Sequence, residues 1–195
     1  MRVIAGEWRG RKLAEPRGRE VTRPTTDRVR EACASMVESA LDGGIVGSRV
    51  LDAFAGSGAL GIEMLSRGAS FASFFDIDRA AAALVRRNLE GVGCDRDRYR
   101  VSCADVLATA ARGRVFGAPF DLVMIDAPYA LGPEPACSLL ESLAASGAIG
   151  PGALALVERS TSQDQARPAG FVIEREKRYG LTSVDLLRLQ PAAQD

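Results

Sequence analysis

From residue 49 onward, short apolar stretches alternate with stretches of helical periodicity. Strand-like segments occur at 49–54, 71–77, 99–103 and 120–126, each followed by a helical pattern, and a further strand is predicted at 153–159. Strands and helices that alternate through short connections form parallel sheets with helices on both faces. The sequence therefore predicts an α/β fold with a doubly wound, mostly parallel, Rossmann-like sheet.

The two ends of the chain depart from this rhythm. Residues 171–180 and 181–190 are two extended stretches joined at a Tyr-Gly pair, which indicates an antiparallel hairpin at a sheet edge. Before the first strand, residues 25–41 predict a helix that begins at a Thr or Asp cap and turns Met36 and Val37 inward.

Composition narrows the class of protein. The 195 residues are 47% hydrophobic and 26% charged, which is typical of one globular domain. Apolar runs long enough for a membrane span are missing, and the N-terminus is too charged for a signal peptide, so we expect a cytoplasmic protein. The chain has no histidine and four scattered cysteines, which argues against a zinc site and against any mechanism with a histidine base.

Charge is distributed unevenly although the net charge is zero. Residues 1–30 carry nine basic and four acidic side chains, so this segment is positive and the remainder is negative. A basic N-terminal segment on an acidic body suggests contact with nucleic acid. A solvated, disordered tail is the alternative, but Trp8 and the closely spaced glycines around it favour a structured segment.

The loop after the first strand reads GSGALG at 56–61, a glycine pattern shared by dinucleotide-binding and methyl-donor sites. Asp52 separates the two interpretations. A carboxylate there would repel the two phosphates of a dinucleotide but attract the ammonium and sulfonium of S-adenosylmethionine. Asp76 lies 20 residues after Gly56, at the end of the second strand, where an acid commonly binds ribose hydroxyls. We therefore predict S-adenosylmethionine as the cofactor.

The fourth strand ends in Asp126-Ala127-Pro128-Tyr129. This tetrapeptide resembles the [D/N/S]-x-P-[Y/F] motif of methyltransferases that act on exocyclic amino groups of bases. Such an amine is a weak nucleophile, so hydrogen-bond acceptors must orient its N–H bonds and favour positive charge on nitrogen. Tyr129 offers a flat face for an unstacked base. An ordinary strand end followed by a proline turn is the alternative.

Other acids and the cysteines refine this interpretation. Asp105 follows the third strand and is expected to receive the adenine amino group, to cap the next helix, or both. Asp78 is expected to be a helix cap. Methylation of cytosine C5 needs a cysteine nucleophile, and we expect none of the four cysteines near Asp126. An amino methyltransferase that acts on DNA or tRNA, an RNA-binding assembly factor without catalysis and a dinucleotide oxidoreductase are the alternatives.

Several stretches together resemble the RsmD-type 16S rRNA guanine-N2 methyltransferases. They are IAGEWRGRKL, RPTTDRVRE, VLDAFAGSGALGIEMLSRGA, DIDRAA, DAPY and RYGLTSV, in this order, and they extend from about residue 2 to 188. The resemblance implies a seven-stranded sheet with a C-terminal antiparallel hairpin, a small basic β extension at residues 1–22, and a methyltransferase domain at 23–195. It also implies methylation of one guanine of 16S rRNA, within the small ribosomal subunit or an assembly intermediate. Nothing in the sequence demands more than a monomer, so we expect a monomer.

The resemblance also assigns residues to roles. The cofactor-binding residues are Asp52, Phe54, Ala55, Gly56, Gly58, Asp76, Ile77, Asp105, Val106 and Thr26. The catalytic residues at the target base are Asp126, Pro128 and Tyr129. The residues that contact substrate RNA are Arg9, Arg11, Lys12, Arg23 and Arg30, with Thr25 and Asp27 in the motif that borders the cleft. The family usually has D-P-P-Y, and this chain has Ala127 in place of the first proline, which keeps the backbone carbonyl but relaxes φ.

Overall fold

The computed structural model describes residues 1–16, 27–128 and 131–191, and it confirms the predicted alternation of strands and helices. Five α-helices are present in these ranges: α1 Asp27–Ala40, α2 Ala59–Ser66, α3 Arg79–Gly91, α4 Val106–Ala111 and α5 Glu134–Ala145, and a short 3₁₀ helix spans Arg96–Arg98. The strands are β1 Arg49–Asp52, β2 Phe71–Asp76, β3 Tyr99–Cys103, β4 Phe120–Ile125, β5 Ile149–Ser160, β6 Phe171–Tyr179 and β7 Thr182–Leu189. None of these helices is both long and apolar enough to cross a bilayer.

The seven strands form one sheet in the order β3-β2-β1-β4-β5-β7-β6. Strands β1 to β5 are parallel, whereas β7 runs antiparallel to β5 and β6 antiparallel to β7, which confirms the predicted C-terminal hairpin. We call the edge where the parallel strands terminate the carboxyl edge. The strand order reverses beside β1, so β1 and β4 flank the switch point where open α/β sheets bind ligands.

Each face of the sheet has its own apolar core. On the first face, α1, α2 and α3 cover Leu122 and Met124 of β4. On the second face, α4 and α5 cover Val123 and Ile125 of the same strand. Because side chains alternate along a strand, residues two apart share a face. We call these the α1 face and the α5 face.

Helix α1 packs on its own face as predicted. Met36 and Val37 are fully buried. On the opposite face of the sheet, Arg159 is buried and forms an ion pair with Asp185 at 2.7 Å. The α1 helix begins near the carboxyl edge and ends beside the C-terminal part of β7, where the Arg188 guanidinium donates to the Ala40 carbonyl at 2.7 Å.

The N-terminal segment belongs to the core of the α1 face. Val3, Trp8 and Leu13 are buried in it, and an isolated antiparallel bridge joins Arg2 and Lys12. The fully buried Glu63 of α2 anchors the segment, because its carboxylate accepts hydrogen bonds from the backbone N–H groups of residues 4 and 5 at 2.8 and 3.0 Å. Residues 1–16 are thus a structured part of the domain. The predicted boundary between residues 22 and 23 lies outside the described residues.

Candidate active site

The glycine loop between β1 and α2 lies at the carboxyl edge. Gly56 and Gly58 have φ angles of 54° and 76°, in the left-handed region that favours glycine. The Gly58 N–H donates to the Ala55 carbonyl at 2.6 Å, and the Ala55 N–H donates to the Phe75 carbonyl of β2 at 2.9 Å. The loop is therefore a tight turn tied to the neighbouring strand, with Ala55 buried and Phe54 half-buried beneath it.

Asp76, at the end of β2, organises this loop. One carboxylate oxygen accepts from the Gly56 N–H at 2.9 Å, and the other accepts from the Asp78 N–H at 2.8 Å. Asp78 in turn caps α3 through the Ala80 N–H, as predicted. A carboxylate has about four acceptor positions, so Asp76 retains capacity for hydroxyl donors from the solvent side.

Asp52 is the buried acid of the site. It is 5% exposed, lies on the α1 face like Val50, and accepts from the Gly61 N–H at 3.1 Å. Burial raises the pKa of Asp52 to about 7, and the nearby Asp76 adds to this, against the lowering effect of the Gly61 hydrogen bond. A buried carboxyl with a raised pKa gains most from a cationic partner. The Asp52 site therefore fits an ammonium group.

Residues assigned to the adenine side differ in exposure. Ile77 is 76% exposed at the carboxyl edge, an apolar surface suited to an aromatic ring. Asp105 is exposed and caps α4, accepting from the Leu107 and Ala108 N–H groups at 2.8 and 3.2 Å. Its predicted capping role is confirmed. Val106 is buried in the core of the α5 face, so only its backbone is placed to meet a ligand.

The Asp126 loop follows β4 at the same edge. Asp126 and Pro128 are exposed, Ala127 is half-buried, and the Leu131 N–H donates to the Pro128 carbonyl at 3.0 Å. Tyr129 lies outside the described residues. Although Asp126 keeps solvent contact, crowding by protein atoms raises its pKa well above the usual range, and the carboxylates of Glu158 and Asp52 raise it further.

The sequence analysis missed two residues near Asp126. Glu158 lies at the carboxyl end of β5, and Cys33 lies in α1. Burial is the main cause that raises the pKa of Cys33 to about 12, and the charges of Glu158 and Asp126 raise it further. The expectation that no cysteine lies near Asp126 is therefore wrong, because α1 packs over the ends of β4 and β5. Cytosine C5 chemistry remains disfavoured, since a thiol with this pKa stays protonated. The only sequence signal for Glu158 was an acid at the end of a predicted strand.

The predicted RNA-contacting residues are spread over the molecule. Arg9, Arg11 and Lys12 are exposed, but the first two lie toward the amino edge of the sheet. The Trp8 backbone N–H donates to the Ser66 hydroxyl at the end of α2, and the Arg11 guanidinium donates to the Val92 carbonyl just after α3. Helix α2 alone spans roughly 12 Å, so Arg9 and Arg11 lie at least about that far from the carboxyl edge.

Arg30 does not agree with its predicted RNA contact. It is 2% exposed, and its guanidinium donates to the Arg2 carbonyl at 2.7 Å and to Asp27 at 2.8 Å. Its guanidinium instead fastens the N-terminal segment to α1. Asp27, the first residue of α1, takes part in the same contact. Arg23, Thr25 and Thr26 lie outside the described residues.

Comparisons with known proteins agree with this architecture. The family described as Conserved hypothetical protein 95 matches residues 1–188. The Ribosomal RNA small subunit methyltransferase D of Escherichia coli is 36% identical over 182 residues, which cover 92% of this chain and 85% of the relative. The protein of the same name from Haemophilus influenzae is 34% identical over 190 residues, covering 95% and 92% of the two chains.

A solved structure extends the match to three dimensions. The Escherichia coli protein yhhF superposes with a TM-score of 0.81 at 35% identity, covering 98% of this chain and 99% of that one. Sequence and structure thus match over almost the whole length. This chain belongs to the Conserved hypothetical protein 95 family, the RsmD-type family that its motifs resemble.

Proposed function

We propose that this protein transfers a methyl group from S-adenosylmethionine to the N2 amino group of one guanine in small-subunit rRNA. The observation that carries the proposal is the position of Asp52 and Asp126. Both lie on the α1 face at the ends of the adjacent strands β1 and β4, which the register joins at Asp52 and Met124. A cation-binding acid and an amine-orienting acid are thereby brought side by side at the switch point.

The residues around the glycine loop fit S-adenosylmethionine. Asp52 would hold the ammonium, Asp76 the ribose hydroxyls, and Ile77 and Asp105 the adenine ring and its amino group. The tight turn at Gly56 and Gly58 leaves room for close approach of a ligand to the backbone. When bound, the cofactor supplies an electrophilic methyl group on a positively charged sulfur.

Asp126 prepares the nucleophile. Its carboxylate accepts a hydrogen bond from N2–H of the guanine, which orients the nitrogen and favours the positive charge that develops there. Methyl transfer would break the S–C bond of the cofactor and form the new N–C bond, so the nitrogen would lose a proton, and Asp126 is placed to take it. The raised pKa of Asp126 makes it a stronger proton acceptor than an ordinary aspartate. Pro128 fixes its own φ and so restricts the backbone beside Asp126.

The substrate class is supported by the relatives, whose names state that they methylate small-subunit ribosomal RNA. Guanine N2 as the target and a ribosomal particle as the form of the substrate follow from the family resemblance. We further propose that the protein acts in the cytoplasm as a monomer.

The experiment that tests the proposal is methyl transfer from labelled S-adenosylmethionine. Small ribosomal subunits from a strain that lacks this protein serve as substrate, and the digested rRNA is analysed as nucleosides. Label in N2-methylguanosine is the expected result. Label in another nucleoside would retain methyl transfer but contradict the guanine assignment. No label despite cofactor binding by calorimetry would point to DNA or tRNA as the substrate, and absence of cofactor binding to an assembly factor without catalysis.

A further inference from the structure

Glu158 is the neighbour of Asp126 on the next strand. The register of β4 and β5 pairs Ile125 with Val157, so residues 126 and 158 follow side by side on strands ~4.8 Å apart. Leu154 and Leu156 pack on the α1 face and Val157 on the α5 face, so Glu158 turns toward the α1 face.

The charges around Glu158 agree with this position beside Asp126. Its carboxylate raises the pKa of both Asp126 and Cys33, whereas the Lys177 ammonium of β6 lowers that of Cys33. The adjacent Arg159 turns to the α5 face, where it binds Asp185 and Glu176. Each carboxylate has about four acceptor positions, so two carboxylates held side by side suit a partner that brings more than one hydrogen-bond donor.

The amino edge of guanine is such a partner. Its N2 amino group stands next to N1–H, which is a second donor. The amino groups of adenine and cytosine instead stand next to a ring nitrogen that accepts hydrogen bonds. A carboxylate opposite that position would bind guanine and repel the other two bases.

We propose that Glu158 is a specificity-determining residue that accepts the N1–H of the target guanine while Asp126 accepts N2–H. This inference rests on the proposed function, because it assigns a role within the same target site. Glu158 thereby selects the base, and Asp126 activates its amino group.

The test replaces the donor at N1 of the substrate. Small subunits are reconstituted with rRNA that carries either guanine or 2-aminopurine at the methylated position, which the wild-type protein first identifies. 2-Aminopurine keeps the 2-amino group, but its N1 is an acceptor. The wild-type protein, Glu158→Gln, Glu158→Asp and the exposed control Glu90→Gln are compared on both substrates by kcat/KM.

We expect Glu158→Gln to lose about 10- to 100-fold in kcat/KM on guanine, the range for a hydrogen bond to a charged group. Its amide can donate to N1 of 2-aminopurine, so its preference for guanine over 2-aminopurine should fall or reverse. Glu158→Asp, with a shorter carboxylate, should lose activity on guanine but keep the preference. Glu90→Gln should behave like the wild type.

The guanine to 2-aminopurine ratio is measured within each variant and does not depend on how much of it is folded. An unchanged ratio in Glu158→Gln would overturn the role of Glu158 while leaving the proposed function intact. If the wild-type protein itself labels no guanine in rRNA, the proposed function fails, and the role of Glu158 fails with it.

Discussion

The loops after β1 and β2 and the ends of β4 and β5 lie at the same edge of one sheet, but they are organised differently. In the first region, which we call the cofactor half, carboxylates accept backbone N–H groups: Asp76 from Gly56 and Asp78, and Asp52 from Gly61. In the second, the target half, Asp126 and Glu158 stand side by side, and the charge of Glu158 raises the pKa of Asp126.

This difference separates two tasks. The cofactor half is fixed before any ligand arrives, because its acids hold their own loops in shape. In the target half, two neighbouring carboxylates offer hydrogen-bond acceptors to a base that brings two donors. Substitutions in the first region should therefore act mainly on cofactor affinity and stability, and substitutions in the second mainly on turnover and base selection.

The sharpest test of this division is Asp126→Ala. We expect kcat to fall by about 10²-fold or more while S-adenosylmethionine affinity stays nearly unchanged, because the acceptor for the reacting amine is removed and the cofactor half is untouched. Methyl-transfer kinetics and calorimetry measure the two quantities. Asp121→Ala, at the amino end of the same strand, is the matched control and should keep its kcat. An equal loss of cofactor affinity in Asp126→Ala would show that the two halves are not separable.

Close packing in the cofactor half is tested by Gly61→Ala. A Cβ at this position would lie 2.3 Å from a ring carbon of Phe74 and 2.9 Å from the Asp52 carboxylate. Such overpacking should lower the free energy of unfolding by ~1–3 kcal/mol and weaken cofactor binding. Gly91→Ala, at the end of α3 with nothing within 4 Å of the new Cβ, is the control and should be neutral or stabilising in denaturant titration. Equal stability of both variants would contradict the close approach at Asp52.

The two halves also differ in how far sequence could predict them. Gly56, Gly58 and the caps Asp78 and Asp105 are determined by neighbours a few residues away, so local patterns identified them. The strands and helices of the sheet could be predicted for the same reason, because the alternation of apolar and helical stretches is also a local pattern.

The pairing of Glu158 with Asp126, in contrast, depends on the register of two strands separated by α5. The closeness of Cys33 and the burial of Arg30 depend on how α1 packs over the sheet and under residues 1–16. Long-range packing of this kind leaves no periodic signal in the chain, which is why a motif-based assignment placed Arg30 in the RNA contact.

The raised pKa of Asp52 predicts that stability and cofactor binding both depend on pH. Between pH 3.8, the ordinary pKa of an aspartate, and about pH 7, the Asp52 carboxyl is protonated in the folded state but ionised in the unfolded state. The contribution of Asp52 to stability is therefore greatest at low pH and falls as the pH rises to about 7. Cofactor binding follows the opposite direction, because the ammonium needs the ionised carboxylate.

Calorimetry at pH 5.5 and 7.0 measures this effect. Affinity for S-adenosylmethionine should rise about tenfold over this range, in which an α-amino group stays largely protonated. In Asp52→Asn the affinity should be lower and nearly independent of pH. A pH dependence that persists in Asp52→Asn would assign the titration to another group, such as Asp126, and would weaken the separation between the halves.

The smallest effect is expected far from both halves, in the N-terminal segment. Arg9, Arg11 and Lys12 changed together to Ala should weaken RNA binding roughly three- to tenfold and flatten its salt dependence, with up to ~0.9 lost from the log–log slope per phosphate contact. Because Arg9 and Arg11 lie toward the amino edge, kcat at saturating substrate should not change.

Arg112 and Arg114, exposed after α4, are the control pair for the loss of positive charge. A reduced kcat with an unchanged salt slope would mean that these side chains act on the fold around Trp8, where Arg98 also packs at 5.3 Å from the ring centre, and not on RNA.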